Sequence, residues 1–515
     1  MRVLISALLV ALSVVVFVGC GGGGGGGPQP GTTGSLAGYI YGDPGSGMVA
    51  SAQTRADLAP LVGATVTVSG QSISDVTDDT GYFQLDGVLT GSRQFYVEAD
   101  GYTRSTFTMT ISEGPNTIPA DINLETAALK WMVMVYMAAD NDLDYNGGFA
   151  AQDINEMEAG MPADSPDVMT VVLSDRSGAN DTRIYQIKRD TNPSVIASDI
   201  IYTPPGGEMD TGLPSTLDWF VSYCQSTGGL PRAEHYLLVL WDHGSGWSSY
   251  DDRSVSSRAI GYDERTNNMM RIVDIAPVLA SNTYPIDIIA SDACLMNQLE
   301  VAYEWRACAD YLVGSEELTP GVGFNYTNLL TFITSSQALQ MTSGQFASGI
   351  AQTVYNVWVG DYAYGNPPPV ISVIDLHKLG PVAAALDAFS GRLRSIGGNN
   401  ATQLSRIYDS VESFGYWWDD HRVDLYDYAN RVAAINDSSL RTAAGQLKTA
   451  IDAAVTVEYH NNLSPGAHGI SIYLPKKVVY NSIRDKIYES YSGLQLSADT
   501  KWNEWLAGQP DYVDP

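Results

Sequence analysis

LLVLWDHGSGW, at residues 237–247, is the stretch of sequence that decides the fold. Its apolar first half predicts a strand buried on both faces, as the strands of parallel sheets are. A second stretch of the same kind, IDIIASDAC at residues 286–294, ends in a cysteine. Ligands bind and catalytic groups collect at the carboxyl ends of parallel strands. If the two strands are neighbours, His243 and Cys294 lie at the same edge of the sheet.

Apolar runs alternate with helix-like stretches from residue 130 onward. The runs comprise residues 131–137, 168–173, 235–241, 286–290, 311–314 and 370–374, and the helix-like stretches include 272–279, 299–305 and 344–358. This alternation predicts an α/β domain with a central, mostly parallel sheet. We place that domain at residues 130–475 and expect the tail at 476–515 to be largely helical.

Residues 35–126 have a different pattern. Short β-branched and aromatic runs at 64–68, 81–85 and 94–97 are separated by glycine and aspartate turn signals. This pattern predicts a small all-β, antiparallel sandwich. The segment contains no histidine and no visible pairing of a nucleophile with a base. We therefore interpret it as a spacer or a binding module.

His243 and Cys294 together suit nucleophilic catalysis. A thiolate is a strong nucleophile, and a nearby imidazole both favours the thiolate and can protonate a leaving amine. Gly244 leaves the backbone open beside the histidine, so its N–H and that of Cys294 could hold a developing oxyanion. Taken singly, a strand-end cysteine is often buried and inert, and a His-Gly pair is often a turn. The matched positions of the two residues indicate a site.

Several spaced motifs resemble the clostripain-like cysteine peptidases, peptidase family C11. In order, they are WMVMVYMAADNDLD at 131–144, LVLWDHGSGW at 238–247, SDACLMNQLEVAY at 291–303, VGSEELTPGVGFNY at 313–326, VDLYDYA at 423–429 and HGISIYLP at 468–475. The resemblance implies a caspase-like α/β fold and a catalytic dyad formed by His243 and Cys294. Residues 35–126 resemble the carboxypeptidase regulatory-like domain, which has a transthyretin-like sandwich fold.

The same resemblance implies a preference for substrates with Arg or Lys at P1, the residue before the scissile bond. Asp292, two residues before the cysteine, occupies the position of an acid that lines the P1 pocket in this family. Some relatives carry a second acid in the loop that matches residues 320–323, where this chain has Val322. The structural alternative for Asp292 is a strand-end cap.

Family members are often zymogens that cleave themselves after a basic residue between the histidine and the cysteine. Four arginines of this chain lie in that interval: Arg253, Arg258, Arg265 and Arg271. The sequence does not choose among them. Some relatives need calcium, but the alternating acids Asp140, Asp142 and Asp144 lack the glycine and the glutamate of an EF-hand loop. We therefore assign no cofactor and no metal ligand, and leave calcium open.

The amino terminus predicts export. The apolar run at residues 3–18 would span about 24 Å as a helix, short of the ~30 Å core of a bilayer, so we predict a signal peptide over residues 1–20. Its end, FVGC at 17–20, resembles a bacterial lipobox in which Cys20 receives lipid. Leucine is usual at the first of these positions, so ordinary signal cleavage is the alternative. The glycine-rich linker at 21–34 would act as a flexible tether.

The composition excludes some partners. Aspartate and glutamate number 58 against 28 lysines and arginines, a net charge of −30. This balance argues against nucleic-acid binding, which needs a basic face, and against charge-driven adhesion to anionic lipid. The partners we expect are peptide substrates with basic P1 residues and a membrane, to which lipid on Cys20 would attach the chain. Beyond Cys20 the chain has three cysteines, so at least one thiol is free, and whether Cys224 and Cys308 pair stays open.

We therefore predict an exported cysteine endopeptidase of the bacterial cell envelope, either surface-anchored or secreted. It would hydrolyse peptide bonds after Arg or Lys through His243 and Cys294, and activate itself by cleavage between them. The alternative from another class is a catalytically silent binding or adhesion protein that retains the peptidase fold. The intact His243, Gly244 and Cys294 favour the enzyme. The sequence does not indicate the natural substrate.

Overall fold

The chain folds into an amino-terminal β-sandwich and a larger α/β unit built around one long sheet. A computed structural model of the protein describes residues 32–43, 58–247, 260–280, 282–361, 367–415, 421–475 and 491–510. The predicted signal peptide, the predicted lipidation site at Cys20 and most of the glycine-rich linker lie outside the described residues. Among the helices of the described residues, none is both long and apolar enough to cross a bilayer.

Two sheets make up the amino-terminal sandwich, and their apolar side chains meet in one core. The strands are β1 (Thr33–Gly42), β2 (Ala59–Pro60), β3 (Thr65–Val68), β4 (Ser74–Val76), β5 (Tyr82–Leu89), β6 (Gly91–Glu98), β7 (Ser105–Ile111), β8 (Gly114–Thr117) and β9 (Ile122–Leu124). The sheet of β3, β4, β6 and β7 is antiparallel, as expected. In the other sheet, β1 pairs parallel with β8 and β9. The antiparallel expectation is wrong there because the chain passes through β6 and β7 in the opposite sheet before it returns beside β1.

The α/β unit is organised around nine strands. They are β10 (Leu129–Ala139), β11 (Val168–Arg176), β12 (Arg183–Gln186), β13 (Asp199–Tyr202), β14 (Ala233–Trp241), β17 (Ile286–Asp292), β18 (Ala309–Gly314), β19 (Val370–Asp375) and β22 (Val455–His460). Their order in the sheet is β13-β12-β11-β10-β14-β17-β18-β19-β22. Successive residues of β10 alternate between two cores, one on each face of the sheet, which explains why this strand is a continuous apolar run.

The central sheet is mixed, and the prediction of a mostly parallel sheet is wrong at its edges. The five middle strands, β11, β10, β14, β17 and β18, are parallel. At each edge two further strands add antiparallel. At one edge, β12 follows β11 after residues 177–182 only, which is too short for the crossover that parallel pairing requires.

Helices cover both faces of this sheet. They are α1 (Asp142–Tyr145), α2 (Phe149–Gly160), α3 (Pro214–Ser222), α4 (Ile272–Leu279), α5 (Leu299–Trp305), α6 (Tyr326–Ile333), α7 (Ser343–Asp361), α8 (Leu379–Ile396), α9 (Ala401–Tyr408), α10 (Leu425–Val432), α11 (Ser438–Ala454), α12 (Gln495–Asp499) and α13 (Trp502–Gly508). Helices α2, α6 and α7 pack on one face, whereas α3, α4, α5 and α8 pack on the other. The layers are therefore helix, sheet and helix.

Two small sheets flank the carboxyl ends of the parallel strands. A hairpin of β15 (Ile260–Asp263) and β16 (Asn268–Met270) lies in the connection between β14 and β17. A three-stranded sheet consists of β20 (Ser413–Phe414), β21 (Arg422–Asp424) and β23 (Ser471–Tyr473). Its central strand also fixes the loop after β14, because the side chain of Arg422 donates to the carbonyl of Ser245 (2.9 Å).

The amino-terminal sandwich docks on the opposite edge of the sheet, at the amino ends of the parallel strands. Arg104, which follows β6, is buried and forms ion pairs with Asp287 on β17 and Asp310 on β18. The hydroxyl of Tyr96 lies in hydrogen-bond contact with Nδ1 of His377 (3.2 Å). Breaking a buried ion pair of this kind by removing one partner typically costs about 3–5 kcal/mol. The interface therefore fixes the sandwich on the α/β unit.

Candidate active site

Strands β14 and β17 are neighbouring parallel strands, as the sequence predicts. Their register pairs Trp241 with Asp292, the last residue of each strand. His243 and Cys294 each come two residues after the end of their strand, so both leave the sheet at the same level. The expectation that these two residues share one edge of the sheet agrees with this geometry.

Backbone contact joins the two loops. A Cβ added to Gly244 would lie 2.3 Å from the carbonyl oxygen of Cys294 and 2.7 Å from its nitrogen, so only glycine permits this approach. Leu295, directly after the cysteine, has a φ of 64°, a left-handed conformation that costs an ordinary residue about 1–2 kcal/mol. This turn reverses the chain beside the thiol and keeps Cys294 at the surface of a cavity.

The cavity has a volume of about 610 Å³. It brings together three of the predicted site residues, His243, Cys294 and Asp292. The other lining residues are Leu143, Asp153, Trp241, Asp242, Leu318, Thr319, Pro320, Gly321, Gly323, Pro367, Ser413 and Gly415. A nucleophile, an imidazole and a carboxylate therefore face one space that is large enough for a peptide side chain.

The His243 ring is held by a carboxylate from another loop. Its Nε2 lies 2.8 Å from Oδ1 of Asp142, so hydrogen on Nε2 donates to Asp142 and Nδ1 remains the free acceptor. Burial lowers the pKa of His243, but the hydrogen bond to Asp142 and the charges of Asp242 and Asp142 outweigh it, and the net shift is upward. Asn141 fixes both acids, because its amide N–H donates to Asp242 (2.8 Å) and its oxygen caps α1, which begins at Asp142.

Two groups of Thr319 contact the thiol of Cys294. Its backbone N–H donates to the sulfur (3.3 Å), and its hydroxyl oxygen lies at the same distance from that atom. Burial raises the pKa of Cys294, the two contacts from Thr319 lower it, and the charges of Glu317 and Asp292 raise it further, so the net shift is upward. Within the described residues no hydrogen bond joins the sulfur to His243. Both observations favour the thiol over the thiolate at Cys294.

Asp292 lies in the cavity wall and also serves as an acceptor. Both of its carboxylate oxygens accept from the backbone N–H of Phe324 (3.1 and 3.0 Å), and one accepts from the hydroxyl of Tyr326 (3.0 Å). Burial raises the pKa of Asp292 to about 7, against the lowering effect of these hydrogen bonds. Asp292 therefore lines the cavity and also binds the chain where α6 begins.

Two of the four arginines considered for self-cleavage lie in the described residues. Arg265, in the turn between β15 and β16, donates to Asp140 and Glu208 (3.1 Å each). Arg271 precedes α4 as its N-cap and pairs with Asp274. Arg253 and Arg258 lie outside the described residues.

The three alternating acids after β10 do not converge on one point. Asp140 binds Arg265, Asp142 binds His243, and Asp144 accepts from Arg176 and Ser177. The acids that could hold a metal ion are instead Asp140, Asp175 and Glu208, whose oxygens lie within 4.8 Å of one another. The guanidinium of Arg265 already contacts the first and the last of these, so this cluster has its cation from the chain itself.

The remaining cysteines do not pair. Cys224 and Cys308 are both free and buried, and burial raises the pKa of each thiol. This answers the question that the sequence left open. Cys294 is the partly exposed thiol of the described residues, and its position on a cavity distinguishes it from the other two.

Sequence reasoning singled out Asp142 with the alternating acids after β10 but missed its contact with His243, and it missed Thr319 as part of the site. Asp142 is 101 residues from His243, and Thr319 is 25 residues from Cys294, so no local spacing reveals either contact. Both residues do fall inside the quoted motifs at 131–144 and 313–326, which was the available signal. Asp424, in another motif, is a structural residue that caps α10 and accepts from the backbone N–H of His468.

Comparison with known proteins identifies the larger unit. Residues 135–508 match the family model described as the clostripain family. The chain belongs to the clostripain family. It is accordingly a cysteine peptidase. A second model, the carboxypeptidase regulatory-like domain, matches residues 46–125, a range that contains strands β2 to β9 of the amino-terminal sandwich.

Individual clostripain relatives agree with this membership. The chain is 26% identical to clostripain of Hathewaya histolytica over 418 residues, which cover 70% of this chain and 76% of that protein. A secreted C11 cysteine protease from Bacteroides thetaiotaomicron, solved with an irreversible peptide inhibitor, superposes with a TM-score of 0.53 at 22% identity over 71% of this chain and 98% of that one. An inactive zymogen C11 protease from Parabacteroides distasonis gives 0.53 at 23% identity over 74% and 99%. These two structures show that the fold is shared.

The contact between Gly244 and Cys294 in this clostripain-family chain predicts a stability effect. Gly244→Ala places a methyl group inside the backbone of Cys294, and we expect the free energy of unfolding to fall by about 1–3 kcal/mol, as for other overpacked sites. Thermal and urea unfolding measure it. Gly321→Ala is the matched control, because a Cβ there meets its nearest atom at 3.8 Å. Equal stability of the two variants would contradict the close contact.

Proposed function

We propose that this protein is an exported endopeptidase that cleaves after basic residues, with Cys294 as the nucleophile and His243 as the general acid and base. The observation that carries the proposal is the junction of the β14 and β17 loops, where the backbones of Gly244 and Cys294 touch beside a cavity lined by the side chains of His243 and Cys294. Membership of a cysteine peptidase family supports it. The caspase-like and transthyretin-like fold assignments belong to the same proposal.

The chemistry follows from these positions. Nδ1 of His243 accepts the thiol proton, and the sulfur of Cys294 forms a bond to the scissile carbonyl carbon. The resulting oxyanion is held by the N–H groups of Gly244 and Cys294. His243 then returns the proton to the amine as the C–N bond breaks, and water hydrolyses the thioester. The N–H and hydroxyl of Thr319 stabilise the thiolate before attack.

Asp292 is proposed to select a basic P1 residue. It lines the same cavity as the nucleophile, and its pKa near 7 means that a cationic side chain would favour its ionised form. The attraction between two unit charges at 4 Å is about 4 kcal/mol at an effective dielectric constant of 20. Export, through a signal peptide with lipid on Cys20, rests on the sequence of residues 1–20 and completes the proposal.

A panel of fluorogenic peptides that differ only at P1 tests the activity. We expect the full mature chain to cleave after Arg or Lys, and Cys294→Ala to lose at least about a thousandfold in kcat/KM because the nucleophile is absent. Cys308→Ala is the matched control, because this thiol is buried away from the cavity. Parallel assays with calcium and with a chelator test for a metal requirement.

The rival, a catalytically silent binding protein, makes an opposite prediction for that panel. It expects no turnover at any P1 residue, even after limited trypsin treatment, and no faster labelling of Cys294 by an arginine-based electrophile than of an ordinary exposed thiol. That pair of results would overturn the peptidase proposal. Turnover that persists in Cys294→Ala would overturn the assignment of the nucleophile.

Self-activation is proposed to occur after Arg253 or Arg258. A peptidase binds its substrate as an extended strand, and neither of the other two arginines lies within a strand. Arg265 lies in a hairpin turn with two acid partners, and Arg271 is the N-cap of α4. We expect amino-terminal sequencing of the mature carboxyl-terminal fragment to begin at residue 254 or 259. The double variant Arg253→Ala/Arg258→Ala should stay in one piece, and Arg265→Ala should still be cut. A fragment beginning at residue 266 or 272 would refute this choice.

The contact between Asp142 and His243 predicts a change in pH dependence. Asp142→Asn keeps a polar side chain but removes the charge that raises the pKa of His243. The acid limb of kcat/KM, where His243 loses its proton, should therefore move to lower pH. We expect kcat at the optimum to fall roughly tenfold to a hundredfold, part of the ~10²–10⁴ that a positioned acid–base group supplies.

The control for this variant is Asp199→Asn, which removes an exposed carboxylate paired with Lys188 and should leave the pH profile unchanged. A uniform loss of activity in Asp142→Asn with an unmoved acid limb would mean that Asp142 acts on the loop structure and not on the His243 proton.

A further inference from the structure

A second carboxylate, Asp153, opens on the same cavity from α2. The residue is 1% exposed. Its Oδ2 accepts from the indole N–H of Trp241 (2.7 Å), while its Oδ1 is buried without a hydrogen-bond partner among the described residues. An unpaired buried carboxylate oxygen is costly unless a cation or a donor completes it. Oδ1 of Asp153 therefore has no hydrogen-bond donor within the part of the chain that the structure describes.

Apart from His243, which is bound to Asp142, the described lining of the cavity holds no basic side chain that could supply that partner. Its described lining contains Asp153, Asp242 and Asp292 but no lysine or arginine. Asp242 is already satisfied by Asn141 and by the N–H of Tyr262. Burial, with the charge of Asp292 as the next cause, raises the pKa of Asp153 well above its usual value. A cation bound between Asp153 and Asp292 would favour the ionised form of both acids and so lower their pKa values.

We propose that Asp153 is the second carboxylate of the P1 pocket and that Asp153 and Asp292 together bind the guanidinium of a P1 arginine. The inference rests on the proposed function. A guanidinium presents five N–H donors in a planar fork and can bridge two carboxylates, whereas the ammonium of lysine is a compact point charge on a flexible stem. The pocket therefore selects arginine over lysine.

Asp153 also accounts for a departure of this chain from some relatives. The loop at 320–323 carries Val322 where those relatives have a second acid. In this chain the second acid comes from the helix below the pocket. The same loop packs on the first acid, since a Cβ on Gly323 would lie 2.7 Å from an oxygen of Asp292.

A purely structural role is the competing explanation for Asp153, because its bond from Trp241 alone could account for a buried acid. Asp153→Asn separates the two explanations. The amide oxygen of asparagine still accepts from the indole N–H, so the packing of Trp241 is kept while the charge is removed. Glu158→Gln is the matched control, since Glu158 is also buried on α2, accepts from the backbone N–H groups of Ala197 and Ser198 and does not line the cavity.

The test measures kcat/KM of the full mature chain on peptides with arginine, lysine or citrulline at P1, citrulline being the uncharged analogue of arginine. For Asp153→Asn we expect a loss of about 10- to 100-fold on arginine, the size of one hydrogen bond to a charged partner. We expect a smaller loss on lysine and less than about twofold on citrulline. Glu158→Gln should retain the preference of the wild type for arginine.

The outcomes are distinguishable. Equal losses on all three peptides would mean a structural role, and an unchanged arginine preference would mean that Asp292 acts alone. Either result overturns the inference and leaves the peptidase intact. If the wild type cleaves none of the peptides and Cys294 is not labelled by an arginine-based electrophile, the proposed function fails first, and the inference falls with it.

The pH dependence of KM is a second measurement, because it reports on the ionisation of Asp153 and Asp292. Other titratable groups around the pair are Glu156 on α2, Tyr326 on α6, and Asp242, His243 and Cys294 at the strand ends. Because ionisation of the acids favours the cation, KM for the arginine peptide should fall as pH rises through about 7, where Asp292 titrates. KM for the citrulline peptide should not follow this trend. In Asp153→Asn the trend should weaken, and an identical slope in the variant would count against the pair.

Discussion

Leu237 to Trp241 pair in parallel register with Ile288 to Asp292, and the rest of the site depends on that pairing. It brings two loops so close that one of them must carry glycine at its tightest point, Gly244. A slip of one residue would turn the side chains of a strand to the opposite face. The helices that pack on both faces of the sheet therefore stabilise this register, and the register in turn positions the nucleophile.

Several of the chain's many acidic side chains lie around the cavity. Carboxylates around the cavity are mostly buried, and burial raises the pKa of Asp292 and Glu317 to about 7 and that of Asp242 to about 6. Backbone N–H groups and neutral side chains, not cations, satisfy most of their oxygens. The result is a cavity whose charge is set by what binds in it.

Much of this structure could be read from the sequence, for identifiable reasons. Helix α4 spans residues 272–279 and α5 spans 299–305, as predicted, and the buried parallel strands coincide with the apolar runs. The edge strands escaped notice because they are half-exposed: β13 and β22 have no fully buried residue. The sequence of a strand that is solvent-exposed on one side contains no continuous apolar run.

The site divides in the same way. His243 and Cys294 were recognisable because strand ends concentrate function, whereas Asp142, Asp153 and Thr319 reach the site through tertiary contacts alone. Asp153 lies within a helix, where an aspartate carries no positional signal. Its partner Trp241 is 88 residues away, and only the folded sheet brings them together.

Arg104 and its acids hold the sandwich at the end of the sheet where the parallel strands begin, and a strand of seven residues such as β17 separates that end from the cleft by about 20 Å. The sandwich therefore acts as a spacer along the strand axis. The cleft therefore opens at the end of the strands that the sandwich leaves uncovered, and a large folded substrate can approach it from that side.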